Sequence, residues 1–100
     1  MNHLFLLLAL SATAQAQLPQ EAEAFVAERD ACDHFRGEPT EGSSPEQVER
    51  RVFVQESLEI YCSGTDRRLA ALKKRYSGSA AVMSALGKYE PVIEGPRCEP

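Results

Sequence analysis

Residues 44–62, with the sequence SPEQVERRVFVQESLEIYC, decide the fold of this chain. Ser44 is a helix-capping residue, Pro45 suits the first helical position, and Gln47 completes a capping box with Ser44. The segment therefore predicts a helix that runs from Pro45 to about Cys62. Its apolar residues form two seams, one of Val54, Leu58 and Tyr61 and the other of Phe53 and Ile60. Because a helix that is apolar on two sides is usually packed on two sides, we predict that this helix is the central element of the fold.

A helix is also predicted before this segment, over residues 19–36. Pro19 suits a first-turn position, and early glutamates and late basic residues complement the two ends of the helix dipole. Gly37 is a natural stop, and residues 37–44 have the composition of a loop. The helix carries only a thin apolar stripe of Phe25, Cys32 and, less well aligned, Phe35.

Two shorter helices are predicted after the central one. Thr65 or Asp66 is placed to cap the third helix, over about residues 66–76. Ser79 is placed to cap the fourth, which Pro91 ends or kinks. Their core stripes are Leu69, Leu72 and Tyr76 in the third helix, and Val82, Leu86 and Tyr89 in the fourth. Since no stretch alternates apolar and polar residues as a strand does, we predict an all-α fold, a small bundle of three to four helices.

The N-terminal residues have the pattern of a secretory signal peptide. Residues 4–10, LFLLLAL, are a short apolar run, and residues 14–16, AQA, are an A-x-A cleavage pattern. A membrane-spanning helix needs about 20 apolar residues, and this run is far shorter. We therefore expect cleavage near Ala16 and a location in the periplasm or outside the cell. The expected parts are a signal peptide at 1–16, a helical domain at 17–94 and an extended C-terminal tail at 95–100.

Composition limits the classes of function. The chain has 11 Lys and Arg against 15 Asp and Glu, a formal net charge of −4. Nucleic-acid-binding domains are usually strongly basic, so we expect no nucleic-acid partner. His34 is the one histidine after the expected cleavage site, and the paired Cys and His spacings of a zinc site do not occur. No nucleophile motif is present either, so we expect a protein that is not an enzyme and that holds neither a metal nor another cofactor.

The cysteines Cys32, Cys62 and Cys98 allow three single bridges, each of which leaves one thiol over. A Cys32–Cys62 bridge would close a loop of about 30 residues, which chain entropy makes worth roughly 3–4 kcal/mol. In a plain up-down bundle, however, Cys62 lies nearer to Cys98 than to Cys32, unless the long loop after Gly37 shifts the second helix. The residues alone leave open a Cys32–Cys62 bridge, a Cys62–Cys98 bridge, and reduced or intermolecular states, including a dimer through Cys98.

Two charged surfaces are candidate partner contacts. The third helix carries the basic residues Arg67, Arg68, Lys73, Lys74 and Arg75. The simplest interpretation is a solvated cationic face that partly pairs with the acidic first helix, and the alternative is a contact patch for an anionic partner. Glu38 and Glu41 are the candidate acidic contacts, together with the first helix. Because the third helix lacks the broad apolar face of an interfacial helix, we expect no membrane contact.

Two motifs carry a resemblance to known proteins. They are residues 32–38, CDHFRGE, and residues 62–66, CSGTD, the second followed by Leu69, Leu72 and Tyr76. They resemble a group of small secreted bacterial proteins of unassigned function, in which the two matching cysteines recur together, and this implies the Cys32–Cys62 pairing. More distantly, a Cys followed by spaced leucines and a tyrosine is similar to the LprI-type lysozyme inhibitors, although Lys73 stands where that pattern has Asp. That resemblance implies a small helical envelope protein that engages a basic enzyme through acidic residues.

These observations predict an exported helical protein that acts by binding in the periplasm or the extracellular space. Lysozyme inhibition is the most specific version of this hypothesis. The alternative is a structural or stress-related envelope protein that self-associates or contacts anionic envelope surfaces.

Overall fold

The computed structural model describes residues 17–95, and the prediction of an all-α fold is confirmed. The helices of this range are α1 (Gln20–Arg36), α2 (Pro45–Cys62), α3 (Thr65–Arg75) and α4 (Ala80–Leu86). None of them is long and apolar enough to cross a membrane. The predicted signal peptide at 1–16 and Cys98 in the predicted tail lie outside the described residues.

The hydrophobic core lies between α1, α3 and α4. It consists of Phe25, Leu69, Leu72, Val82, Leu86 and Tyr89, all at most 7% exposed. The predicted stripes of the third and fourth helices are therefore core residues, with Tyr76 packed at the margin. The fourth helix is shorter than predicted, since α4 ends at Leu86 and a turn follows, in which the Tyr89 N–H donates to the Leu86 carbonyl at 3.3 Å. Tyr89 nevertheless reaches the core, where its ring meets the ring of Phe25 edge-on at 5.9 Å.

The central element of the fold is α1, so the prediction that α2 occupies this place is wrong. The most extensive contacts join α1 to α2, and α1 also packs on α3, whereas α2 has no comparably extensive contact with α3 or α4. Val54 of the first predicted seam is buried, but Phe53 and Ile60 of the second are 57% and 71% exposed. Phe53 still meets α1, where its ring lies edge-on to the ring of Phe35 at 5.7 Å, but within the described residues no further helix covers the second seam.

The start of α2 is the capping box that the sequence predicts. The Gln47 N–H donates to Ser44 Oγ at 3.1 Å, and the Ser44 N–H donates to Gln47 Oε1 at 3.0 Å. Two backbone donors that lack partners within the helix are therefore satisfied by nearby side chains.

Replacing Ser44 with alanine is expected to lower the free energy of unfolding by about 1 kcal/mol, because the Gln47 N–H then loses its acceptor. Urea unfolding followed by circular dichroism measures this change. Ser44→Asn is the matched control, because asparagine caps helices as well as serine does and should keep the wild-type stability. Equal losses in both variants would contradict the role of the cap.

The start of α3 differs from the prediction, because neither Thr65 nor Asp66 caps it. The N-cap is Gly64, whose positive φ of 78° favours glycine, and the cap has no local side-chain acceptor. Instead, Glu94 accepts the N–H groups of Gly64 at 3.0 Å and Asp66 at 2.9 Å. The Asp66 carboxylate in turn accepts the N–H groups of Ile93 and Glu94 at 3.0–3.1 Å. This exchange fixes the segment after α4 against the N-terminus of α3.

A disulfide joins Cys32 to Cys62, with sulfur atoms 2.05 Å apart and Cα atoms 5.0 Å apart. The register of α1 against α2 explains why this pairing forms. The helices run antiparallel but are offset, so that the C-terminal end of α2 reaches Cys32, about one turn before the end of α1, while Arg50 of α2 pairs with Glu38 beyond that end. The loop between the helices makes the offset possible, so Cys62 is held by Cys32 and is not available to Cys98.

Candidate functional site

The predicted basic patch on α3 is partly neutralised by α1. Arg75 donates to both carboxylate oxygens of Glu21 at 2.8 and 2.9 Å, and Arg68 pairs with Glu28. The other three residues of the patch, Arg67, Lys73 and Lys74, form no ion pair with any residue in 17–95. The structure therefore agrees with the simplest interpretation for two of the five residues.

A shallow cavity of about 190 Å³ lies beside these pairs, between α1 and α3. Tyr76 donates a hydrogen bond to Glu21 here, and this bond together with Arg75 lowers the pKa of the Glu21 carboxyl. The same contact with Glu21 raises the pKa of the Tyr76 hydroxyl and of the Arg75 guanidinium. Both arginines of the cavity wall, Arg68 and Arg75, already face glutamates, so the cavity is a surface depression between ion pairs.

The acidic residues singled out in the sequence are largely engaged within the fold. Glu38 pairs with Arg50, and its carboxylate lies 3.6 Å from His34 Nε2. Glu41 is exposed and pairs with no basic residue of the described range. The paired acidic residues of α1 are Glu21, Glu28, Asp30 and Asp33. Among the acidic residues singled out in the sequence, those with neither an ion pair nor a side-chain hydrogen bond in the described range are Glu23 and Glu41. Within residues 17–95, no three His, Cys, Asp or Glu side chains are placed to hold a metal ion.

One buried charged residue, Arg29, was missed by the sequence analysis. Its guanidinium donates to Asp33 at 3.1 Å, to Thr65 Oγ1 at 3.4 Å and to the Glu90 carbonyl at 2.9 Å. It also lies 5.4 Å from the ring centroid of Tyr89, whose hydroxyl pKa is raised by burial and by its hydrogen bond to Asp30. Arg29 thus joins α1 to α3 and to the segment after α4, which is a structural role.

The outer face of α2 is the largest group of exposed apolar side chains on one helix of the described structure. We define this outer face by its four large apolar residues and the four glutamates among them: Val48, Val52, Phe53, Ile60, Glu46, Glu49, Glu56 and Glu59. Its apolar members are 41–71% exposed, and all four glutamates are exposed. Helix α2 packs on α1 through Val54 and Ser57 on the opposite side. The outer face is left in solvent except at its edge, where the ring of Phe53 meets the ring of Phe35 of α1 at 5.7 Å.

The outer face of α2 carries no basic residue. The two arginines of the helix point away from it, toward the loop that joins α1 to α2. Arg50 pairs with Glu38, and Arg51 donates to the carbonyls of Thr40 at 2.9 Å and Gly42 at 3.0 Å. Both arginines of α2 thus form contacts within the fold, and the outer face combines negative charge with exposed apolar side chains.

Comparison with protein-family models, with curated proteins and with solved structures finds no match to this chain. Several exposed apolar side chains on one helix face, with charged residues among them, are a feature typical of interaction sites. Two residues of the outer face, Phe53 and Ile60, form the second seam that the sequence predicts to be packed. The signal that could have identified the outer face is the mixture of glutamates with this second seam, because buried seams exclude unpaired charge.

Proposed function

We propose that this protein is an exported helical domain that acts by binding a partner through the outer face of α2. The observation that carries this proposal is the exposure of Val52, Phe53 and Ile60 on one side of a helix whose other side is well packed. Export is supported by the signal-peptide pattern at residues 1–16 and by the Cys32–Cys62 disulfide, which is compatible with an oxidising compartment.

The most specific version of this proposal is inhibition of a lysozyme. Most lysozymes are basic, and the outer face of α2 offers Glu49 and Glu56 in place of Glu38, which is paired with Arg50. The test is calorimetric titration of a basic lysozyme with the chain that begins at Gln17, followed by an assay of cell-wall digestion. We expect a complex at micromolar concentration and slower digestion. The absence of a complex at that concentration would remove this version.

Substitution on the outer face is expected to leave the stability of the fold almost unchanged. Ile60→Gln should leave the free energy of unfolding within about 0.5 kcal/mol of the wild-type value, because the side chain is 71% exposed. Val54→Gln on the packed side of the same helix is the matched control, and it should lose several times more because Val54 is 1% exposed. Urea unfolding measures both. Similar losses in the two variants would show that the outer face is packed, and the proposal would then fail.

A second candidate function is favoured by the basic residues of α3 that have no ion-pair partner within the described range, Arg67, Lys73 and Lys74. They are suited to an anionic envelope surface, as expected of a structural envelope protein. Size-exclusion chromatography with light scattering, and sedimentation with anionic phospholipid vesicles, test this function. A strict monomer that does not sediment with the vesicles contradicts it.

A further inference from the structure

The outer face of α2 contains a regular seam in which acidic and apolar residues are interleaved. The members of the seam are Glu46, Glu49, Phe53, Glu56 and Ile60, at alternating intervals of three and four residues. This spacing places the five side chains in one stripe along the helix, which a second helix lying along α2 can follow. With 18 residues, α2 is about 27 Å long, so several turns of a partner helix can follow it.

The chemistry of this seam selects the charge of its partner. Three of its five positions are glutamates, and no basic residue of α2 reaches the outer face, because Arg50 and Arg51 contact the preceding loop. A helix with lysine or arginine opposite the glutamates and with apolar residues opposite Phe53 and Ile60 is complementary in both respects.

A second copy of this chain fits the seam poorly. Two α2 helices would place glutamates against glutamates, which is unfavourable. The basic helix α3 of another copy could supply charge, but its apolar residues Leu69 and Leu72 are buried, at 1% and 7% exposure, and cannot meet Phe53 and Ile60. An anionic membrane would repel the glutamates in the same way.

We infer that the outer face of α2 binds a cationic amphipathic helix of a partner polypeptide. This inference rests on the proposed function and deepens it by stating the chemistry of the partner. Binding places the apolar side of the cationic helix on Phe53 and Ile60 and its lysines or arginines beside the glutamates of the seam. Because the ion pairs form at the surface, the affinity should fall as the salt concentration rises.

The test uses a labelled synthetic peptide of 18 residues, the length of α2, in which lysine and leucine are arranged as an amphipathic helix. Fluorescence anisotropy measures its binding to the chain that begins at Gln17. A peptide of the same composition in scrambled order is the control for general attraction between opposite charges. We expect the amphipathic peptide to bind roughly tenfold more tightly than the scrambled one, because only the first can place apolar residues on the seam. Equal affinities would overturn the inference, as would no binding at about 100 μM peptide.

Two charge reversals locate the binding surface. Glu49→Lys changes the seam, and Glu23→Lys makes the same change of charge at an exposed position near the start of α1. We expect Glu49→Lys to weaken peptide binding about fivefold or more and Glu23→Lys to weaken it less than twofold, because only the first places like charges in contact. Equal weakening would show that net charge alone attracts the peptide, and the inference would fall.

The failure of this inference can be distinguished from the failure of the proposed function. If lysozyme binds and Ile60→Gln weakens that complex while the peptide does not bind, the outer face is a binding site for a partner of another kind. If light scattering shows that the chain forms dimers that Glu49→Lys alters, the seam is occupied by a second copy, and the cationic-helix inference is wrong. If Ile60→Gln changes neither lysozyme binding nor peptide binding, both the proposed function and the inference fail.

Discussion

Replacing Cys32 and Cys62 together with serine is expected to lower the free energy of unfolding by about 3–4 kcal/mol. The bridge closes a loop across a sequence separation of 30 residues, and it limits the conformations of the unfolded chain. A domain of this size has a total stability of only about 5–10 kcal/mol, so the loss removes a large share of it. Urea unfolding measures the effect when the double variant and the wild type are compared, each under oxidising and under non-oxidising conditions.

The loss is expected to be largest in α2. This helix packs extensively on α1 alone, and the hydrophobic core lies on the other side of α1, between α1, α3 and α4. In the double variant, amide hydrogen exchange should therefore accelerate more in α2 than in α3.

Cys98→Ser is the matched control for the double variant, because it removes a cysteine and leaves the Cys32–Cys62 bridge intact. It should keep the wild-type stability within about 0.5 kcal/mol. If the control loses as much stability as the double variant, or if the double variant loses less than about 1 kcal/mol, the bridge does not stabilise the fold in this way.

Local signals in the sequence predicted the helices well, because they depend on residues close together in the chain. The capping box of Ser44 and Gln47 is an example, since both of its hydrogen bonds lie within four consecutive residues. The start of α3 shows the limit of this reasoning. Its N–H groups are satisfied by Glu94, which lies about thirty residues away and carries no local sign of that role.

Only part of the candidate site could be predicted from the sequence, again because distant parts of the chain decide the outcome. The second seam of α2 was recognised from Phe53 and Ile60, but whether a seam is covered depends on how the other helices are placed. In the structure the buried apolar residues of α3 and α4 form the core with Phe25 of α1, and neither helix packs extensively on α2. A pattern of apolar residues therefore predicts that a surface is buried by a contact, and it does not say whether that contact is made by the same chain.

Arg29 shows the opposite error, because it is a buried residue whose type favours an exposed position. Ala22, Phe25, Arg29 and Cys32 follow one another at intervals of three and four residues, and all four are buried. The spacing thus placed Arg29 on the packed side of α1, but charged residues are rarely buried, so the residue type favoured solvent. Burial is possible here because Thr65 and the Glu90 carbonyl accept its hydrogen bonds, and both come from distant parts of the chain.

Replacing Arg29 with alanine is expected to lower the free energy of unfolding by about 2–4 kcal/mol. Arg29 is 1% exposed, and the loss of its side chain leaves a cavity beside Tyr89. It also leaves the Thr65 hydroxyl and the Glu90 carbonyl without their donor. The Asp33 carboxylate adds little to the cost, because it is 36% exposed and keeps its ion pair with Arg36. Urea unfolding followed by circular dichroism measures the change.

Two further variants separate the causes of this loss. Arg29→Met keeps most of the side-chain volume and removes the hydrogen bonds, so it should lose less than Arg29→Ala, with the difference reporting the cavity. Arg36→Ala removes an arginine that also pairs with Asp33 but is 38% exposed, and it should cost less than about 1 kcal/mol because surface ion pairs contribute little. If Arg29→Ala costs no more than Arg36→Ala, the buried guanidinium does not hold α1 against α3, and the joining role assigned to it is wrong.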